Sequence, residues 1–184
     1  MPKPWERSPR RRVFETRVFG LDELKLKSPR DGREHSFFLM QCPDWVNIVP
    51  ITADGQVVMV RQHRYGTDEE TLELPGGMTD PGETPAQAAA RELLEETGYR
   101  AGEVIATGVI APNPALQSNR THSFLARNVV PAGGGMKLDG GEDIEVALIP
   151  LAEIPARVAS GQICHALVVV AFTWAFGLDG RLKF

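Results

Sequence analysis

Glu92, Glu95 and Glu96 stand close together in the run Arg91-Glu92-Leu93-Leu94-Glu95-Glu96. On a helix turning ~100° per residue, Glu92 and Glu96 fall ~40° apart, and Glu95 lies ~60° to the other side of Glu92. Three carboxylates then share one edge of one helix. Like charges at these spacings repel, each pair costing roughly a few tenths of a kcal/mol. Arg91, one turn before Glu95, offsets only part of that repulsion. Hard oxygen donors so clustered are relieved best by Mg2+ or Mn2+, which prefer carboxylate, carbonyl and water oxygens. A solvated amphipathic helix would carry the same run, so the run alone does not decide between metal chemistry and an ordinary surface.

The flanking residues say how such a helix would be held. Thr84 is a natural N-cap, Pro85 suits the first helical position, and Gln87 completes a Thr-x-x-Gln capping box. Gly98 supplies a C-terminal stop. Ala86, Ala89, Ala90, Leu93 and Thr97 form one weakly apolar arc for packing, with the carboxylates beside it. Before the helix runs a loop rich in glycine and proline, Pro75-Gly76-Gly77-Met78-Thr79-Asp80-Pro81-Gly82.

The wider spacing is more specific. Gly77, five residues, Glu83, seven residues, then Arg91 to Tyr99 resembles the Nudix box at every defined position; Tyr99 stands where that family usually has an aliphatic residue. The resemblance implies hydrolysis of a nucleoside diphosphate linked to another group, by attack of water on phosphorus. That reaction requires diphosphate charge to be neutralised, a phosphoryl oxygen polarised and a water deprotonated, all of which carboxylate-held divalent ions do. By resemblance the ion is Mg2+, with Mn2+ able to substitute. Glu92 and Glu96 are then metal ligands, Glu95 binds a second ion or acts as base, and Gly76 lends its backbone carbonyl. Arg91 orients Glu95 by an ion pair. Glu83 either supports the metal site or braces the loop, and Gly77 and Gly82 serve backbone permissiveness.

In relatives acting on ADP-ribose the base lies on a loop outside the box. The matching stretch is residues 131–142, with five glycines between Pro131 and Gly141. The base is therefore Glu142, Asp139 or Glu95, with Glu142 the first choice; a turn whose acids only solvate it is the alternative. Pro114 resembles the marker of the ADP-ribose pyrophosphatase branch, whereas Gln117 and Ser118 stand where dinucleoside polyphosphate hydrolases carry a tyrosine. Asn113, Gln117, Asn119 and Arg120 offer donors for sugar hydroxyls and phosphate, or else cap turns. Arg64, in Arg61-Gln62-His63-Arg64, matches a position where relatives contact phosphate or nucleotide. Trp45 or Phe37 stacks a base or, more simply, packs in the core. The expected reaction is Mg2+-dependent cleavage of ADP-ribose or a related nucleoside diphosphate sugar to a nucleoside monophosphate and a sugar phosphate. Its rivals are a nucleoside triphosphate pyrophosphatase and a non-catalytic nucleotide-sensing module.

The composition is consistent with this. A chain of 184 residues, 42% hydrophobic and 24% charged, suits one ordinary globular domain with a small extra element. A net charge of −4 argues against a general nucleic-acid binder. Cys42 and Cys164 imply no disulfide framework; they read as buried packing residues in a cytoplasmic protein. The basic N-terminus lacks a signal peptide's apolar run and reads as a frayed tail. Ala166 to Phe176 is far short of the ~20 residues a membrane span needs and reads as a buried helix. Strand patterns at Arg12–Gly20, Glu23–Pro29 and Glu34–Gln41 suggest an N-terminal sheet, and six further strands follow with two closing helices. The expected fold is α/β (α+β): a Nudix-like α/β/α sandwich with a mixed sheet, plus a small N-terminal antiparallel sheet. Residues 1–43 would form a β extension that makes a homodimer, by resemblance, and residues 44–184 the hydrolase domain. A nucleotide sugar is the expected small-molecule partner, with no nucleic acid and no membrane.

Overall fold

Successive residues of a strand face opposite sides of a sheet, so a buried strand must satisfy two cores. The computed structural model, which describes residues 3–138, 140–141 and 143–176, shows this directly. In chain order its strands are β1 (Glu6–Arg7), β2 (Arg11–Glu15), β3 (Gly20–Lys27), β4 (Glu34–Gln41), β5 (Trp45–Ile51), β6 (Gln56–Arg64) and β7 (Glu69–Glu73). After helix α1 (Pro85–Thr97) come β8 (Tyr99–Arg100), β9 (Ile105–Ile110), β10 (Thr121–Arg127), β11 (Val130–Pro131) and β12 (Ile144–Pro150). A short 3-10 turn then leads into α2 (Ile154–Ala159) and α3 (Ala166–Phe176).

The main sheet runs β12-β6-β5-β10-β9, with β7 on the second half of β6. β10 lies parallel to β5, placing Phe124 beside Ile48, while the other pairings are antiparallel. On one face Ala88, Ala89 and Leu93 of α1 pack against Val46, Ile48, Val58 and Phe124. On the other, Ile154 of α2 and Val168, Ala171 and Phe172 of α3 meet Val49, Met59, Leu72 and Leu125. The result is a mixed sheet between helices, as the order of elements implied.

The described residues divide into two compact units. One holds the residues up to Pro43 together with Ala111–Arg120; the other holds Asp44–Ile110 and the residues from Thr121 onward. In the first, β3 is paired by β4 along one side and by β1 and β2 along the other. The loop joins this unit through the Met40 N–H on the Leu116 carbonyl at 2.7 Å and the Asn119 amide on the Pro43 carbonyl at 3.3 Å.

Several expectations change. The basic N-terminus is not frayed: Glu6–Arg7 and Arg11–Glu15 are strands. The strand expected over Arg12–Gly20 ends at Glu15, because the Thr16 hydroxyl accepts the N–H groups of Val18 and Phe19 and turns the chain before β3 begins at Gly20. Cys164 is exposed rather than buried. Phe37 is exposed too, edge-on to Trp5 and near His35, instead of packing in a core. Only Val168, Ala171 and Phe172 of α3 are buried, so that apolar helix is half-covered.

Candidate active site

Helix α1 starts and stops where its caps dictate. The Thr84 hydroxyl accepts the Gln87 N–H, the Gln87 side chain accepts the Thr84 N–H, and Gly98 closes the helix at φ 69°. Its buried face differs from the one expected. Ala88, Ala89, Glu92, Leu93, Glu96 and Thr97 are buried, while Ala86 and Ala90 are only half-covered. Glu92 retains 9% exposure and Glu96 3%, so two of the three carboxylates lie inside the protein rather than along an open edge.

The cover is the glycine loop. Gly77 exchanges backbone hydrogen bonds with Val46 at 3.1 and 2.9 Å, laying the loop beside β5. A Cβ on Gly76 would come within 2.2 Å of the Val46 carbonyl, and one on Gly77 within 2.4 Å of Glu92 Oε1. Close approach to the Val46 backbone, and not turn geometry, therefore demands the glycine at 76, whereas a Cβ at 77 would displace the Glu92 carboxylate. The Gly76 N–H donates to Glu96 Oε2 at 3.0 Å.

Arg91 gathers the remaining groups. Its Nε donates to Glu83 Oε1 at 3.0 Å, and its Nη1 to Glu92 Oε1 and Glu95 Oε2 at 2.9 and 3.0 Å. Its Nη2 reaches the Met78 carbonyl at 3.0 Å and Glu83 Oε2 at 3.1 Å. Glu83 also accepts the Asp80 N–H at 3.1 Å. These contacts make Glu83 a brace between loop and helix. The hydrogen bond from Arg91 holds the Glu83 carboxyl below its ordinary range, and Glu83 in turn pushes the Arg91 pKa up, so both stay charged.

Among the described residues no three acids, histidines or cysteines converge as ligands on one point. Glu92 and Glu95 are drawn onto Arg91 and Glu96 onto the Gly76 amide. The residues nevertheless fit a hard divalent cation. The donor set is all oxygen, three acids share one guanidinium, and the missing Cβ of Gly77 lets the loop backbone lie directly against the Glu92 carboxylate.

Arg64 is held by a residue the sequence reading missed. Its Nε and Nη2 donate to the two oxygens of Glu73 at 2.7 and 2.6 Å, and the Thr71 hydroxyl donates to Glu73 Oε1 at 2.6 Å. The available signal was one charged residue in the otherwise apolar run Leu72-Glu73-Leu74. Burial pushes the Glu73 carboxyl up, but the bonds from Arg64 and Thr71 outweigh it and leave the pKa lowered.

The other candidates sit apart from the helix in sequence. Asn113 caps its own loop, its carbonyl accepting the Leu116 and Gln117 N–H groups, and Gln117 bridges to Met40; Arg120 is exposed. The stretch after Pro131 is docked on the end of α1, since the Ala132 and Lys137 N–H groups both reach carbonyls there, those of Gly98 and Glu95, at 2.8 Å. Glu142 and Asp139, the candidate bases, lie outside the described residues.

An α/β/α sandwich with a glycine loop laid over a capped, carboxylate-bearing helix is the arrangement of Nudix proteins. Residues 43–166 match the NUDIX domain family, and the chain belongs to that family of hydrolases. It is 27% identical over 162 residues to the ADP-ribose pyrophosphatase of Bacillus subtilis (strain 168), covering 88% of this chain and 87% of that protein. It is 32% identical over 146 residues to the ADP-sugar pyrophosphatase of Mus musculus, covering 73% and 66%. A crystal structure of an ADP compounds hydrolase superposes with a TM-score of 0.83 over 96% of this chain and 94% of that one, at 24% identity, and shares its fold. Among the described residues no helix is long and apolar enough to cross a membrane.

Proposed function

We propose that the protein hydrolyses the diphosphate bond of ADP-ribose or a related nucleoside diphosphate sugar, giving a nucleoside monophosphate and a sugar phosphate. The observation that carries this reading is the burial of Glu92 and Glu96 beneath the Gly76-Gly77 loop. Burying carboxylates is costly unless positive charge compensates them, and Arg91 is already divided among three acids. The names of the relatives support the substrate class.

Mg2+, or Mn2+ in its place, would supply charge neutralisation at the diphosphate and a bound water of lowered pKa. Glu92, Glu95, Glu96 and the Gly76 carbonyl would hold the ion. Arg91 and Glu83 keep those carboxylates in place. A water oxygen bonds to one phosphorus, the bridging P–O bond breaks toward the departing phosphate, and Glu95 or Glu142 takes the water's proton. Arg64 and the polar residues Asn113, Gln117, Asn119 and Arg120 bind phosphate and sugar. Residues 1–43 act as a dimerisation extension of the Nudix domain at 44–184, in accord with exposed aromatics such as Phe14, Phe37 and Phe38. Two cysteines without a disulfide accord with the cytoplasm.

Purified protein with Mg2+ should convert ADP-ribose to AMP and ribose 5-phosphate, read by phosphorus NMR beside GDP-mannose, UDP-glucose and ATP. Turnover of ATP alone would replace the sugar-nucleotide reading with a triphosphate pyrophosphatase, and turnover of none would favour a sensing module.

A further inference from the structure

We infer that Glu73 is a positioning residue for the substrate-binding arginine: its buried carboxylate fixes the plane and direction of the Arg64 guanidinium. This rests on the reading above, in which Arg64 binds the phosphates.

The ladder between β6 and β7 sets the geometry. Arg64 stands opposite Glu69, Gln62 opposite Thr71 and Val60 opposite Glu73, so Arg64, Glu69, Thr71 and Glu73 share one face of the sheet. Arg64 has an acid directly across the ladder in Glu69, which is exposed. Its bidentate contact instead runs to Glu73, four residues farther along β7, and the side chain lies back across the sheet past Thr71 to reach it. That direction leads toward the metal-site loop, because β7 continues through Leu74 and Pro75 into Gly76, whose N–H bonds Glu96.

Stability alone gives no reason for this choice. Glu73 is 3% exposed and lies between Leu72 and Leu74, both core residues. The carboxylate is buried while the guanidinium is 44% exposed, so desolvation of one partner and solvent screening of the other take up much of the pair's attraction. What a charge provides there is direction. Both Glu73 oxygens accept from the Nε/Nη2 side of the fork, and Thr71 fixes the carboxylate by a third hydrogen bond. With that side gripped, the guanidinium plane is set, and so is the direction in which Nη1 points. Phosphate recognition by arginine depends on that plane, so loosening the grip weakens binding before it touches the bond-breaking step.

Glu73→Gln tests this, because it keeps the shape and one acceptor and removes the charge. With ADP-ribose and Mg2+, its KM should rise by about tenfold or more while kcat stays within about threefold of the wild type. Arg64→Gln should raise KM likewise, and adding Glu73→Gln to it should produce no further rise, since the carboxylate acts only through the guanidinium. Thermal unfolding of each variant, followed by circular dichroism, accompanies the kinetics. A folded Glu73→Gln protein with unchanged KM overturns the inference and leaves the substrate reading standing. So does an additive KM effect in the double variant. Wild-type protein that turns over no nucleoside diphosphate sugar overturns the substrate reading, and the inference falls with it. If Glu73→Gln unfolds, Thr71→Val replaces it; this loosens the same carboxylate, and its KM should rise in the same direction, an unchanged value again counting against the proposal.

Discussion

Glu96 holds a carboxylate almost wholly out of water while accepting the Gly76 N–H at 3.0 Å. A glutamine there can still accept that hydrogen bond but brings no charge, so fold and chemistry separate at this residue. Glu96→Gln should lose about 10³-fold or more in turnover, with Tm changing by only about a few degrees. Near-normal rates would remove Glu96 from the site. Glu73 offers a different readout. Its folded-state pKa is lowered, because the bonds from Arg64 and Thr71 outweigh the upward push of burial. Its contribution to stability is therefore complete above the ordinary glutamate range and is lost as pH falls through the folded pKa. Urea unfolding between neutral and acidic pH should show the wild type losing more stability toward acid than Glu73→Gln; parallel profiles would contradict the assignment.

At the scale of elements, α1 is tied at both ends. Its N-terminus carries the capping box, and replacing Thr84 by Ala should cost about 1 kcal/mol in chemical denaturation. Gly98 does more than end the helix. At φ 69° it needs the left-handed conformation, and a Cβ would press on the Gly135 carbonyl carbon at 3.3 Å. The Ala132 and Lys137 amides reach the carbonyls of Gly98 and Glu95 on the same side. Gly98→Ala should therefore destabilise by roughly 1–2 kcal/mol and speed hydrogen exchange at Lys137 more than at residues of the central sheet. Uniform exchange changes would mean that the stretch after Pro131 is not coupled to the helix end. These caps were legible beforehand because capping is local: it needs four residues, a hydroxyl and a left-handed glycine. The break at Thr16 was not, since Arg12–Gly20 is rich in the β-branched and aromatic residues of a strand and carries no Gly or Pro before Gly20, yet one hydroxyl takes two amides and turns it.

For the whole molecule, the N-terminal sheet presents Phe14, Phe37 and Phe38 to solvent, with Trp5 edge-on to Phe37. Exposed aromatics in that number fit a second copy better than water. Light scattering should return twice the 20.2 kDa chain mass, and Phe37→Glu with Phe38→Glu should return the monomer; a monomeric wild type would end the dimer proposal. The half-covered α3 belongs to this scale too. Its eleven residues are apolar nearly all round, yet three of them are buried, because one sheet face can cover only one side of a helix.

The sequence by itself determined the caps of α1, the strands of the central sheet and the spacing from Gly77 to Glu96 that identifies the family. Each of these is a local regularity of period, cap or fixed separation. Only the tertiary structure decided that Glu92 and Glu96 are buried, that Arg91 joins Glu83 to the helix, and that Arg64 leans back to Glu73. Those facts depend on which strand or loop lies over a side chain. Gly77 over Glu92 and Glu73 beside Arg64 are neighbours made by pairing in the sheet, and no periodicity along the chain records which segments will pair.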